Sequence, residues 1–253
     1  MQLPVRVVRS WSHRRRALQM RFGGVAGLLA LAVQSGPAAQ EHARPQDTRR
    51  SEWTPGANMA GPPDLPVIGK WMITASGIPA HWMGQSYRGK HLREPINVII
   101  VDEVSASASQ ASTAALAAAA AAGYPVRWGH STGYKAVVGD QVYAQLPRGW
   151  DDALSDAPFE FSNNHGRLFG PHATSRGYVL IGAFSREEVD PFRWPGHLYA
   201  SFNKARDDFA ERLDRLSPYR RTGFVDLQNA ISDDPLVSTG DHDGKAILLK
   251  AAK

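Results

Sequence analysis

The chain of 253 residues contains no cysteine. That absence excludes a disulfide framework and a lipid-modified cysteine anchor, so stability has to come from core packing. Acidic side chains are missing from the first 40 residues, which carry six arginines (Arg6, Arg9, Arg14, Arg15, Arg16 and Arg21). Long apolar runs are missing too: the stretch Phe22–Val33 spans only about 12 residues, too few to cross a bilayer. No complete catalytic signature is present either.

What remains is ordinary for a globular protein, with 43% hydrophobic and 9% aromatic residues. The formal net charge is +5, which would suggest a polyanionic partner if it lay on the folded part. Six of the 29 basic side chains fall in residues 1–40, leaving 23 against 24 acidic ones. A near-neutral domain argues against nucleic-acid binding. The basic stretch, the apolar run and the small residues Pro37-Ala38-Ala39-Gln40 follow the order of a secretory signal. Residues 1–40 are therefore expected to be a cleaved signal peptide, with a periplasmic or secreted product and no stable transmembrane anchor. Residues 41–66, rich in Pro, Gly, Arg, Asp and Ser, read as a flexible linker to a single domain over 67–253.

Within that domain Ile96–Val101 is a β-branched run typical of a buried central strand. An alanine-rich helix is expected over Ser105–Ala122, stopped by Gly123, and a second over Asn203–Leu216, ended by Ser217-Pro218. Further strands are predicted at Tyr124–Trp128, Gln141–Leu146, Gly166–Phe169, Tyr178–Phe184, His197–Phe202, Gly223–Leu227 and Ala246–Lys250. The fold class is accordingly α/β of the α+β kind: a mixed, mainly antiparallel sheet with two principal helices.

Several polar constellations carry chemistry. Gly129-His130-Ser131-Thr132-Gly133 matches the G-x-S-x-G elbow of serine hydrolases, but the β-branched Tyr134–Val138 follows where the elbow needs a helix. A polar turn at the rim of a site is the better reading, with His130 and Ser131 as ligand contacts. Ser162-Asn163-Asn164-His165-Gly166-Arg167 precedes a strand, and two-residue alternation puts His165 and Arg167 on one face with Asn163 beside them. Such a face presents an acid/base and an anion-binding guanidinium together, with Asn163 and Asn164 as further ligand contacts. His197 opens the strand before the second helix. Asp241-His242-Asp243-Gly244 packs two carboxylates and an imidazole into a turn but lacks the downstream glutamate of a calcium loop. Arg206 with Asp207 and Asp208 reads as a solvated helix face, and Glu187-Glu188 as a surface pair without a role.

Taken in order, these segments resemble the LssY carboxy-terminal domain family. The matching pieces are Pro95-Ile96-Asn97, Asn164-His165-Gly166-Arg167-Leu168, the His197 strand running into Ala205-Arg206, and the terminal Asp243-Gly244. The resemblance spans about residues 68–250. It implies an α/β fold and directs attention to His165, Arg167, His197 and Asp243, but supplies no reaction.

Two functions remain in view. One is an exported hydrolase of a small phosphate-bearing or otherwise anionic ligand. In it His165, His197, Asp241 and Asp243 form the catalytic set, and Arg167, Asn163, Asn164, His130, Ser131 and His242 contact the ligand. The other is a non-catalytic envelope module that binds a ligand or partner through the same face. No H-x-x-x-H or H-E-x-x-H spacing points to a metal, and neither cofactor nor oligomeric state is legible.

Overall fold

The computed structural model describes residues 55–193 and 196–251. The expected signal peptide and the start of the expected linker lie outside them. In chain order the elements begin with a one-turn helix α1 (Pro55–Asn58), then β1 (Met59–Ala60), β2 (Ile68–Gly69), β3 (His81–Tyr87), β4 (Lys90–Arg93) and β5 (Val98–Asp102). Helix α2 (Ala108–Ala121) is followed by β6 (Val126–Arg127), β7 (Lys135–Val138), β8 (Gln141–Leu146) and β9 (Ala153–Ser155). Two long strands come next, β10 (Asn163–Thr174) and β11 (Gly177–Val189), then β12 (His197–Ser201) and helix α3 (Phe202–Leu216). The chain closes with β13 (Tyr219–Asp226), β14 (Val237–Ser238) and β15 (Lys245–Ala251).

Among the described residues a 12-stranded sheet runs in the order β1-β2-β7-β8-β10-β11-β5-β15-β13. Strand β12 is added to β11, and β6 and β9 are added beside β10. Every pairing in it is antiparallel except β5 with β15. A second sheet, β14-β4-β3, packs its Trp82 against β11 by donating from Nε1 to Ser185 Oγ (3.2 Å). The mixed, mainly antiparallel sheet with two principal helices is as the sequence suggests. The linker is not wholly so: β1 pairs with β2, and Trp71 Nε1 donates to the buried Asn58 Oδ1 (2.8 Å). Residues 55–66 are thus tied to the folded unit.

Each face of the sheet carries its own core. Leu168, Leu180 and Phe184 pack with α2 and α3 through Ala115, Ala119, Phe209 and Leu213. Alanine on the buried face of α2 leaves little side-chain bulk, which lets that helix lie close to the strands. Phe169, Ile181 and Ala183 point the other way, into a core shared with Ile68, Met72, Ile99 and Leu227. Because side chains alternate along a strand, the second phase of β10 and β11 also carries Arg167, His165 and Asn163, and Ser185 and Glu187. Register places Asn163 opposite Glu187 and His165 opposite Ser185. Both helices cover the other face, so these polar groups gather on the helix-free face, at the end of β10 where it begins and β11 finishes.

Candidate functional site

On that face lies a cavity of about 380 Å³. Its polar wall is His130, His165, Arg167, Glu187 and His197, each at most 6% exposed. Met83 from β3, Tyr134 and Phe159 complete it. His130 arrives on the loop after β6, where Gly129 has φ +104 and a Cβ would stand 2.2 Å from the Phe159 ring. Only glycine lets the loop pass there. The His130 and His165 rings stack at 4.7 Å between centroids.

The hydrogen bonds fix which nitrogen of His165 and of His197 carries the proton. Asn163 donates from Nδ2 to Glu187 Oε1 (2.7 Å) and to the Phe161 carbonyl (2.9 Å), so its Oδ1 is an acceptor. His165 Nδ1 therefore donates to that oxygen (3.1 Å), and its Nε2 is the basic atom, 3.4 Å from Ser185 Oγ. His197 Nδ1 donates to Glu187 Oε1 at 2.6 Å, leaving its Nε2 buried without a partner, as is His130 Nε2. A carboxylate thus orients one imidazole so that the opposite nitrogen is free to accept a proton or bind a ligand.

Electrostatics favour an anion here. Burial, reinforced by Arg167 and His197, pushes His130 down to about 4. Burial, with His130 and Arg167 adding to it, holds His165 well below the usual histidine range. Both rings are neutral at pH 7. Burial raises Glu187 against the pull of Asn163 and His197, and it pushes nearby Glu94 up to about 7 although Arg167 opposes it. Arg167, only 3% exposed, donates from Nη2 to the Ser131 carbonyl (2.6 Å) and lies over the Tyr134 ring at 4.9 Å. Its buried Nε has no hydrogen-bond partner, and among the described residues no carboxylate forms an ion pair with it. A guanidinium keeps its charge even when buried, so the cavity holds a cation facing neutral imidazoles.

The structure brings together His130, Ser131, His165, Arg167 and His197, with Asn163 immediately behind them. It does not bring in Asn164, which faces the opposite side of β10 and donates from Nδ2 to Asp156 and Asp208. Nor does it bring in the Asp241–Asp243 turn. The Asp241 carboxylate accepts from the hydroxyls of Tyr199 and Ser201 and from the Phe202 backbone N–H, which ties down the start of α3. Asp243 pairs with Arg206 Nη1 (2.6 Å), and His242 Nε2 is 2.7 Å from Asn229 Oδ1. Register explains the miss. Val98 of β5 lies opposite both Gly182 of β11 and Ile247 of β15, so the turn is at the site's end of the sheet but two strand positions from β11. At about 4.8 Å per strand that is roughly 10 Å. Arg206, expected on a solvated face, is 3% exposed, and losing Asp243 would leave this buried charge with Asp207 as its remaining ion pair rather than empty a binding site.

Glu187, expected as a surface residue without a role, lines the cavity and accepts from His197. On β11 it points inward while Glu188 points out. Carrying the alternation of Tyr178–Phe184 three residues further places it in phase with Ile181 and Ala183.

Two expected results follow directly. Ser131 Oγ meets only the Tyr134 hydroxyl (3.1 Å), and Ser131's carbonyl is engaged by Arg167. A fluorophosphonate probe should therefore leave Ser131 unlabelled, as read by peptide mass spectrometry, whereas stoichiometric labelling would restore the serine-hydrolase reading. His242 is one of three buried imidazoles, with His130 and His165, whose protonation opposes folding in acid. Asn229, Asp241, Asp243 and Arg206 surround it, and burial, aided by Arg206 and opposed by both aspartates, pushes it down to about 4. The unfolded chain binds its proton near pH 6.5 and the native one only near 4. Stability is thus fully present above pH 6.5 and falls as pH drops from there toward 4, by about 3 kcal/mol. Urea unfolding at several pH values should show this slope, and His242→Gln should reduce it while His130 and His165 keep the remainder; an unchanged slope in the variant would contradict the assignment.

Comparison with protein-family models, curated proteins and solved structures gives no match.

Proposed function

We propose that the protein is an exported hydrolase of a small phosphate-bearing or otherwise anionic ligand, and that this cavity is where it acts. The observation that carries the reading is Arg167. A buried guanidinium that no carboxylate among the described residues touches, with Glu94 and Glu187 acting on it only from beyond ion-pair distance, is costly, and the cavity beside it suits an anion accepting from the free Nε–H. Export rests on the order of basic, apolar and small residues in 1–40. Kinship with the LssY carboxy-terminal domain family is part of the same proposal and rests on the short motifs around His165 and His197.

In this reaction Arg167 holds the anionic group and offsets charge that develops on it. His197 Nε2 takes a proton from water as the water oxygen bonds to the phosphorus or acyl carbon. The leaving oxygen departs with the electrons of the broken bond and recovers the proton from His197. Glu187, on Nδ1, keeps the ring in the required tautomer and stabilises the transient imidazolium. Asn163 holds Glu187 and His165 in place.

A panel of phosphomonoesters, phosphodiesters and carboxylate esters tests the proposal. Turnover of at least one class is expected, reduced about a hundredfold or more in His197→Gln. Saturable phosphate binding with no turnover across the panel would select the non-catalytic module instead.

A further inference from the structure

We infer that the same cavity is a site for one divalent transition-metal ion, ligated by His130, His165 and Glu187. One donor atom from each of the three lies within 4.8 Å of the others, and all three side chains are buried. Among the described residues no other group of three His, Cys, Asp or Glu meets that spacing. The donors come from three separate segments, the loop after β6, β10 and β11, so no short sequence motif announces them.

The surroundings are those of a ligand set rather than of a structural hydrogen-bond network. His130 Nε2 is buried with no partner, a condition that costs stability unless something binds it. His165 has its Nδ1–H anchored on Asn163 Oδ1, the usual arrangement behind a metal-binding imidazole. Both hydrogen bonds to Glu187, from Asn163 Nδ2 and His197 Nδ1, fall on Oε1, which leaves Oε2 for an ion. Donors about 2.0–2.1 Å from a tetrahedral ion sit roughly 3.4 Å apart, so a set whose donors lie within 4.8 Å of one another has to contract around an ion. Two imidazoles and one carboxylate suit Zn²⁺, Co²⁺ or Fe²⁺ rather than Mg²⁺ or Ca²⁺, which take oxygen ligands. Three protein ligands leave a tetrahedral ion one open position, on the cavity that Arg167 also lines.

The test uses the full chain, stripped of metal with a chelator and titrated with Zn²⁺ or Co²⁺ alone. Expected is one ion per chain at micromolar concentration, a visible Co²⁺ spectrum, and affinity at least about tenfold weaker in His130→Gln and in the isosteric Glu187→Gln. His242→Gln, outside the site, should bind like the wild type. Should a ligand variant not fold, the imidazole ¹⁵N resonances of the wild type supply the answer, with those of His130 and His165 moving on zinc addition. No stoichiometric uptake, undiminished uptake in both ligand variants, or stationary His130 and His165 resonances would each overturn the inference. Phosphate binding to the metal-free chain is measured separately. Phosphate binding without ion uptake removes the metal and leaves the anion site standing, while ion uptake without phosphate binding does the reverse.

Discussion

Arg167→Met should weaken the binding of inorganic phosphate about a hundredfold or more while leaving the melting temperature unchanged or raised. Removing one partner of a buried, hydrogen-bonded charge pair costs about 2–5 kcal/mol of binding. Arg167 is a permanent cation on the cavity wall, where burial keeps His130 and His165 uncharged. Stability responds with the opposite sign. The ligand-free protein buries this guanidinium with no carboxylate ion pair, a burden that methionine, of similar reach, removes. Against that stands the Ser131 carbonyl, which loses its bond from Nη2, worth about 1 kcal/mol. The two nearly cancel. Calorimetric titration and thermal unfolding of the same samples read both quantities. A large drop in melting temperature with unchanged phosphate affinity would recast Arg167 as a structural residue.

Gly166→Ala should destabilise the fold by about 3 kcal/mol, a loss of roughly 6–12 °C in melting temperature for a domain of this size. Gly166 lies between His165 and Arg167, on the opposite face of β10. A Cβ there would stand 2.3 Å from Phe184 Cδ1 and 2.6 Å from the Ala183 carbonyl oxygen. Neither neighbour can yield cheaply. Phe184 is 1% exposed and stacked on Phe209 at 4.0 Å, and the Ala183 carbonyl belongs to β11, the paired strand. The glycine lets β10 and β11 approach closely with the Phe184 ring lying across the strand, and that approach sets Asn163 against Glu187. Phosphate binding should fall as well, because both flanking residues are on the cavity wall. Wild-type melting behaviour in Gly166→Ala would show that the strands tolerate the extra carbon.

The regular elements were legible because their signals are local. The β-branched run ending at Val101 became the fully buried β5, and the expected strand over Gln141–Leu146 coincides with β8. The alanine run formed α2, capped by Ser107 with Gly123 just past its end at φ +83. The lengths of β10 and β11 were harder to read. Pro171 interrupts the first pattern and is absorbed by an irregularity between Phe169 and His172, while charged Arg186, Glu187 and Glu188 disguise the end of the second. Underestimating β11 is what hid Glu187, because a glutamate pair looks solvated until the strand phase reaches it. The small sheet joins a hairpin, β3 with β4, to the two-residue β14 from far along the chain, and strands this short leave little periodic trace.

Within the site, the alternation His165-Gly166-Arg167 was sufficient to place both side chains on one face. Convergence with His197 follows from β12 pairing with β11, where Val189 lies opposite His197. That contact needed the topology. The aspartates of the final turn matched the site in chemical type and in end of sheet, but lateral strand order decides such questions and cannot be read from residue spacing.

In the proposed site an anion binds between Arg167 and the His197–Glu187 pair. A phosphate titration of the metal-free protein, followed through its imidazole ¹⁵N resonances, tests it most directly. The prediction is one saturable shift shared by His130 and His197, absent in Arg167→Met, with His242 stationary. Unmoved His130 and His197 resonances, or the same saturable shift in Arg167→Met, would contradict it.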